Sequence, residues 1–72
     1  MVTVYSKNNC MQCRMTKKFL DENRVSYKEI NLDLEPEYIE TVKEMGFAAA
    51  PVIVSPKGNF AGFQPSLLKQ LA

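Results

Sequence analysis

The sequence predicts a single α/β domain spanning residues 1–72, with elements in the order β-α-β-α-β-β-α. Three observations predict it. A strand-like alternation at the N-terminus runs into a helical apolar period, and a second strand followed by a second helical period comes after it. Two short apolar runs then flank a Ser-Pro-Lys-Gly-Asn turn, ahead of a Leu-rich end. With 72 residues there is room for one core, and neither a linker nor an internal repeat is visible.

Val2 and Val4 alternate with Thr3 and Tyr5, which suits a short strand ending near Ser6. From Met11 to about Asn23, Met15, Phe19 and Leu20 recur at helical spacing, and the helix is expected to stop near Asn23 or Arg24. Tyr27 to Leu32 reads as a second strand, parallel to the first because a helix joins them. Pro36, Tyr38, Ile39, Val42 and Met45 describe a second amphipathic helix capped at Gly46. Pro51 to Val54 and Phe60 to Phe63 are expected to form an antiparallel hairpin across Ser55–Asn59, and Gln64-Pro65-Ser66 opens a last helix carrying Leu67, Leu68 and Leu71. Met15, Phe19, Ile39, Val42 and Leu68 are expected in the core.

The chemistry concentrates in Cys10-Met11-Gln12-Cys13, which holds the only two cysteines. Residues three apart on a helix have Cβ atoms roughly 5–6 Å apart, within reach of a disulfide. The pair can therefore open and close without rebuilding the backbone. Asn8 and Asn9 are N-cap candidates, which puts Cys10 in the first turn, where free N–H groups and the positive end of the helix dipole favour a thiolate. Lys7, Arg14, Lys17 and Lys18 add positive charge, and no acid precedes Asp21. Cys10 is expected to be the nucleophile and Cys13, one turn deeper, the resolving thiol. Two other uses of such a pair stand beside this one. Two inert buried cysteines would simply pack. A zinc or iron–sulfur centre needs more ligands than a chain with no histidine and no third cysteine supplies, so it would have to bridge two chains.

The formal net charge of +1 argues against a nucleic-acid binder. All 8 acidic residues lie between Asp21 and Glu44, and Glu37, Glu40 and Glu44 read as a solvated helix face. The N-terminus runs directly into strand alternation, so no secretory signal is expected, and no apolar stretch approaches membrane-spanning length. A cytoplasmic, monomeric protein with no membrane partner is expected, in a compartment where dithiols cycle.

The element order, a C-x-x-C after the first strand and a Pro opening the third resemble the thioredoxin fold in its short glutaredoxin form, over essentially the whole chain. The resemblance implies a four-stranded mixed sheet of order 2-1-3-4 with helices on both faces, and a cis bond between Ala50 and Pro51 beside the site. A closer likeness is to the NrdH-type redoxins, electron donors of class Ib ribonucleotide reductase. It is carried by Cys10-Met11-Gln12-Cys13 and by Phe60-Ala61-Gly62-Phe63-Gln64-Pro65, similar to the Trp-Ser-Gly-Phe-Arg-Pro run of that family. The chain departs from the run at Phe60, Ala61 and Gln64, and the last removes a planar cation.

That likeness implies a dithiol–disulfide oxidoreductase which takes electrons from thioredoxin reductase and delivers them to the large subunit of class Ib ribonucleotide reductase. No cofactor is expected on the chain itself beyond the Cys10–Cys13 disulfide, since NADPH is used by the reductase. Glutathione-using glutaredoxins resemble Cys-Pro-Tyr-Cys and carry a Gly-Gly turn followed by acids. Gly62-Phe63-Gln64-Pro65-Ser66 offers neither the second glycine nor the acid, so glutathione is expected to bind poorly. A glutathione-dependent glutaredoxin and a general protein-disulfide reductase are the alternatives.

Around the pair, Ala50 is expected to offer backbone groups to an extended client segment, and Met11 an adaptable thioether to a partner. Lys7 would act as an auxiliary charge. Gln12 reads equally as a hydrogen-bonding group or a spacer. Tyr5 and Thr16 lie close enough in sequence to influence the thiols. Tyr5, Phe60 and Phe63 are open between sheet-face core and docking surface.

Overall fold

The computed structural model describes residues 1–72. Its sheet has the order β2-β1-β3-β4, built from β1 (Val2–Ser6), β2 (Tyr27–Asn31), β3 (Val52–Ser55) and β4 (Gly58–Ala61). β1 runs parallel to β2, with Val4 opposite Glu29, and antiparallel to β3, with Val4 opposite Ile53. β3 and β4 form the antiparallel hairpin. Helices α1 (Met11–Glu22), α2 (Ile39–Glu44) and α3 (Pro65–Lys69) complete it, with a 3₁₀ turn at Pro36–Tyr38 leading into α2. No helix is long and apolar enough to cross a membrane.

The period-two side-chain alternation of the strands divides the core between the two faces of the sheet. On one face Val2, Val4 and Ile53 meet Leu20 of α1 and Leu68 of α3. On the other, Tyr5, Ile30 and Val52 meet Val42 of α2 and Leu32. The helices thus cover both faces, and β1 and β3, central in the sheet, carry residues buried on each side.

α1 buries Cys13, Thr16 and Leu20, a stripe at i, i+3 and i+7. Met15 lies off that stripe and is exposed, as is Ile39 at the start of α2, so neither belongs to the core expected for it. β4 is also displaced from the expected Phe60–Phe63. Pro56 and Lys57 alone make the turn, because Ser55 pairs with Gly58 and the Ser55 hydroxyl accepts from Lys57 N and donates to Gly58 O. The strand therefore starts two residues early and has ended before Gly62 and Phe63, which are released into a loop.

Both longer connections leave their helices through the same pair of bonds. After α2, Gly46 N donates to Lys43 O and Phe47 N to Val42 O, with Gly46 at φ +90°. After α1, Arg24 N donates to Asp21 O and Val25 N to Leu20 O, and here the left-handed residue is Arg24 at φ +56°. A side chain is strained there and glycine is not. Arg24→Gly is expected to raise stability by about 1 kcal/mol, seen as a higher urea midpoint with an unchanged slope.

Candidate redox site

The site is assembled at the end of β1. Residues 7–10 cross from β1 to α1 and are held by the opposite loop. Asn8 N donates to Asp33 Oδ2 at 2.7 Å, and Asn31 Nδ2 donates to Asn8 Oδ1 at 3.0 Å. Asn31 Oδ1 in turn accepts from Asp33 N and Leu34 N. Asn9 takes the left-handed conformation, φ +54°, which Asn tolerates better than most residues. Neither asparagine caps the helix, contrary to expectation, because one is bonded across the loop and the other makes the turn.

Cys10 itself is the N-cap. Its backbone is extended, and its Sγ accepts from Cys13 N at 3.1 Å, the bond that a Ser or Asp oxygen makes at other helix starts. The sulfur therefore lies at the positive helix end, on an N–H that negative charge strengthens. The two cysteines are disulfide-bonded with Cα atoms 5.2 Å apart. Cys10 is half-buried, while Cys13 is only 1% exposed. An incoming sulfur can reach one of the pair and not the other.

Two further segments close on this sulfur. Cys10 Sγ lies 3.9 Å from the carbonyl oxygen of Ala50, and the Ala50–Pro51 bond is cis, as the resemblance implied. Pro51 is fully buried, and its carbonyl accepts from Gly62 N at 2.8 Å. Gln12, between the cysteines, accepts on Oε1 from Phe63 N at 3.0 Å, so it is a tie to the Gly62–Phe63 loop and not a spacer. Gly62 sits at φ +85°, and a Cβ there would stand 3.4 Å from Gln12 Oε1. Gln64 turns its amide back on Ala61 O at 2.7 Å, and Pro65 follows at the first position of α3. Cys10, Gln12, Ala50, Pro51, Gly62 and Phe63 are thereby brought together.

Other residues singled out from sequence have separate surroundings. Lys7 lines an apolar groove with Leu32, Val42, Phe47 and Ala50. Met11 is 65% exposed beside Cys10, and Phe63 packs edge-on against Phe19, ring centres 6.4 Å apart. Tyr5 is core, stacked obliquely near Tyr38. Lys17 is committed to Glu29 at 2.9 Å and is not a free charge for the thiolate. No cluster of three or more His, Cys, Asp or Glu side chains forms a metal site.

The Glu29 carboxylate illustrates how β2 is tied to α1. Its partial burial alone would raise its pKa, but the hydrogen bond from the buried Ser6 hydroxyl at 2.7 Å and the charge of Lys17 outweigh this and lower it. A carboxylate with a lowered folded pKa adds stability that is complete above its unfolded value and is lost as pH falls. Glu29→Gln is therefore expected to flatten the fall of melting temperature below pH 4.5, where the ordinary carboxylate titrates. In the sequence Glu29 and Asn31 read only as strand residues, and Asp33 only as the opening of a turn. Only the Asn-Leu-Asp spacing, which suits a side-chain-closed turn, signalled any of them.

The Glutaredoxin family profile matches residues 2–60. The glutaredoxin-like protein NrdH of Lactococcus lactis subsp. cremoris is 60% identical over 72 residues, covering the whole of both chains. The chain belongs to the NrdH branch of the glutaredoxin family. The Escherichia coli NrdH protein is 31% identical over 97% of this chain and 86% of its own length. A solved structure of Escherichia coli NrdH-redoxin, described as having a thioredoxin-like activity profile, superposes with a TM-score of 0.93 over 99% of this chain and 93% of that one, at 31% identity. A glutaredoxin from Archaeoglobus fulgidus follows at a TM-score of 0.86 and 28% identity, covering 97% of this chain and 83% of that one. The NrdH assignment makes the chain a thiol-disulfide oxidoreductase with a redox-active Cys10–Cys13 pair.

Proposed function

We propose that this NrdH-type redoxin carries electrons from thioredoxin reductase, and so from NADPH, to the disulfide of the large subunit of class Ib ribonucleotide reductase in the cytoplasm. The observation that carries the mechanism is the asymmetry of the pair: Cys10 is reachable and accepts Cys13 N at 3.1 Å, while Cys13 is sealed. The Cys10 thiolate attacks one sulfur of the client disulfide, forming a mixed disulfide and releasing the other client sulfur as a thiolate. Cys13 then attacks Cys10 Sγ, the intramolecular disulfide forms, and the second client sulfur leaves. The reductase returns two electrons. Ala50, next to Cys10, offers its backbone to the client segment, and the exposed Met11 adds apolar contact.

Two considerations favour thioredoxin reductase over glutathione as the electron source. The Gly62–Gln64 loop is closed by Gln12 and Ala61 and presents no acid to a glutathione amino group. The Escherichia coli relative is described as thioredoxin-like in activity. Oxidised protein is mixed with NADPH and thioredoxin reductase, or with NADPH, glutathione and glutathione reductase, and then with ribonucleotide reductase. NADPH consumption and deoxyribonucleotide formation only in the first mixture are expected. Coupling through glutathione alone would overturn the electron source, and reduction of other disulfides without ribonucleotide reductase turnover would overturn the client.

A further inference from the structure

We propose that Thr16 is a positioning residue for the exchange: its hydroxyl, unpartnered while the two cysteines are bonded to each other, becomes the hydrogen-bond donor to the Cys13 sulfur when the pair opens. The inference rests on the dithiol reading above, in which Cys13 is the second thiol.

Thr16 is 0% exposed, and its Oγ1 is the one buried side-chain oxygen or nitrogen in the molecule without a hydrogen-bond partner. Threonine inside a helix ordinarily returns its hydroxyl to the carbonyl three or four residues back. Those carbonyls belong to Cys13 and Gln12, and neither bond is made. A buried hydroxyl left in this state costs free energy, which valine, of nearly the same shape, would not incur. Packing alone therefore accounts for the volume at this position but not for its oxygen.

The helix itself supplies the partner. Thr16 and Cys13 are three residues apart on the buried face of α1, and the Cα–Cβ bonds of a helix tilt toward its N-terminus. The Thr16 side chain thus stands over the turn that contains Cys13. In the disulfide, the Cys13 sulfur is spent on Cys10. After reduction it carries a proton or a negative charge in a site closed to water, with only 1% of the residue exposed, and a hydroxyl donor beside it is the group that charge lacks.

Both effects act in one direction. The unpartnered oxygen penalises the disulfide state, and the new bond favours the dithiol state, so Thr16 makes the pair easier to reduce. It also prepares the resolving step. Cys13 gives its proton to the client thiolate released in the first step and holds negative charge under the Thr16 hydroxyl. Its sulfur then attacks Cys10 Sγ of the mixed disulfide. The Cys10–Cys13 bond forms, the bond from Cys10 to the client sulfur breaks, and the client leaves as a thiolate that solvent protonates.

The test compares Thr16→Val with Thr16→Ser, in the full chain, without any partner protein. Equilibrated against a dithiothreitol redox buffer, Thr16→Val is expected to favour the disulfide by about tenfold, a potential about 30 mV more negative, while Thr16→Ser stays close to wild type. In a Cys10→Ala background, the ultraviolet thiolate signal of Cys13 is expected to appear at higher pH with Thr16→Val than with Thr16→Ser. If Thr16→Val does not fold, Thr16→Ala against Thr16→Ser gives the same comparison. An unchanged potential and an unchanged Cys13 titration, even with an altered melting temperature, would overturn the proposal. Because neither readout uses a reductase or a client, failure of the electron-transfer reading would show in its own assay and not here.

Discussion

Cys10→Ser is expected to lose disulfide reduction by on the order of 10³-fold or more, because a serine hydroxyl neither ionises near neutral pH nor attacks sulfur as a thiolate does. Cys13→Ser is expected to fail differently. It keeps the first attack and lacks the second, so it accumulates a covalent complex with an oxidised client. The asymmetry follows from the structure: Cys10 is accessible at the helix start with Cys13 N on its sulfur, whereas Cys13 lies beneath it at 1% exposure. Mass spectrometry of each variant incubated with an oxidised disulfide peptide reads the outcome. A complex trapped by Cys10→Ser and absent with Cys13→Ser would exchange the two roles.

Leu68→Ala is expected to cost about 2–5 kcal/mol, the usual range for a fully buried leucine truncated to alanine. Leu68 is 0% exposed and joins α3 to Val2, Val4, Leu20 and Ile53. α3 spans only Pro65–Lys69, too short to persist without that contact. A domain of this length has a stability of only about 4–11 kcal/mol. At roughly 4–8 °C per kcal/mol for so small a domain, the melting temperature is expected to fall by about 20 °C. Thermal unfolding followed by circular dichroism checks this, and a fall of under about 4 °C would mean that α3 contributes little to the core.

Much of the fold was legible because short, strong local signals coincided with the tertiary arrangement. Val2/Val4 alternation, the helical run after Cys10, and the Gly46 stop each lie where residue chemistry indicated. The displacements have specific causes. Met15 and Ile39 are apolar at helical spacing, yet α1 directs the narrower stripe of Cys13, Thr16 and Leu20 at the sheet and α2 directs Val42, and spacing does not reveal which of two adjacent stripes a sheet will cover. The aromatic pair Phe60 and Phe63 suggested a strand between them, but the two-residue Pro56-Lys57 turn sets the register and spends the strand on Gly58–Ala61. In the site, the C-x-x-C spacing was enough to identify the pair, and its likeness to the NrdH group needed the Phe60–Pro65 run as well.

What local sequence withheld is which side chains and backbone groups meet across long separations. Gln12 and Phe63 are 51 residues apart, and Cys10 and Ala50 are 40 apart. Asn8 and Asn9 were stronger cap candidates than any cysteine, and only the bond from Asn31, 23 residues away, shows why Asn8 is occupied elsewhere. The orphaned hydroxyl of Thr16 has no sequence signature at all, since its informative property is the absence of a neighbour.

A nucleophile that doubles as a helix cap ties chemical damage to local unfolding. An electrophile that adds to the Cys10 thiolate removes the negative charge that strengthens the bond from Cys13 N, and the first turn of α1 has no other side-chain cap to fall back on. Covalent inactivation therefore reaches beyond one blocked sulfur: the amide hydrogen of Cys13 should exchange faster in the alkylated protein than in the dithiol form, marking a weakened start to the helix.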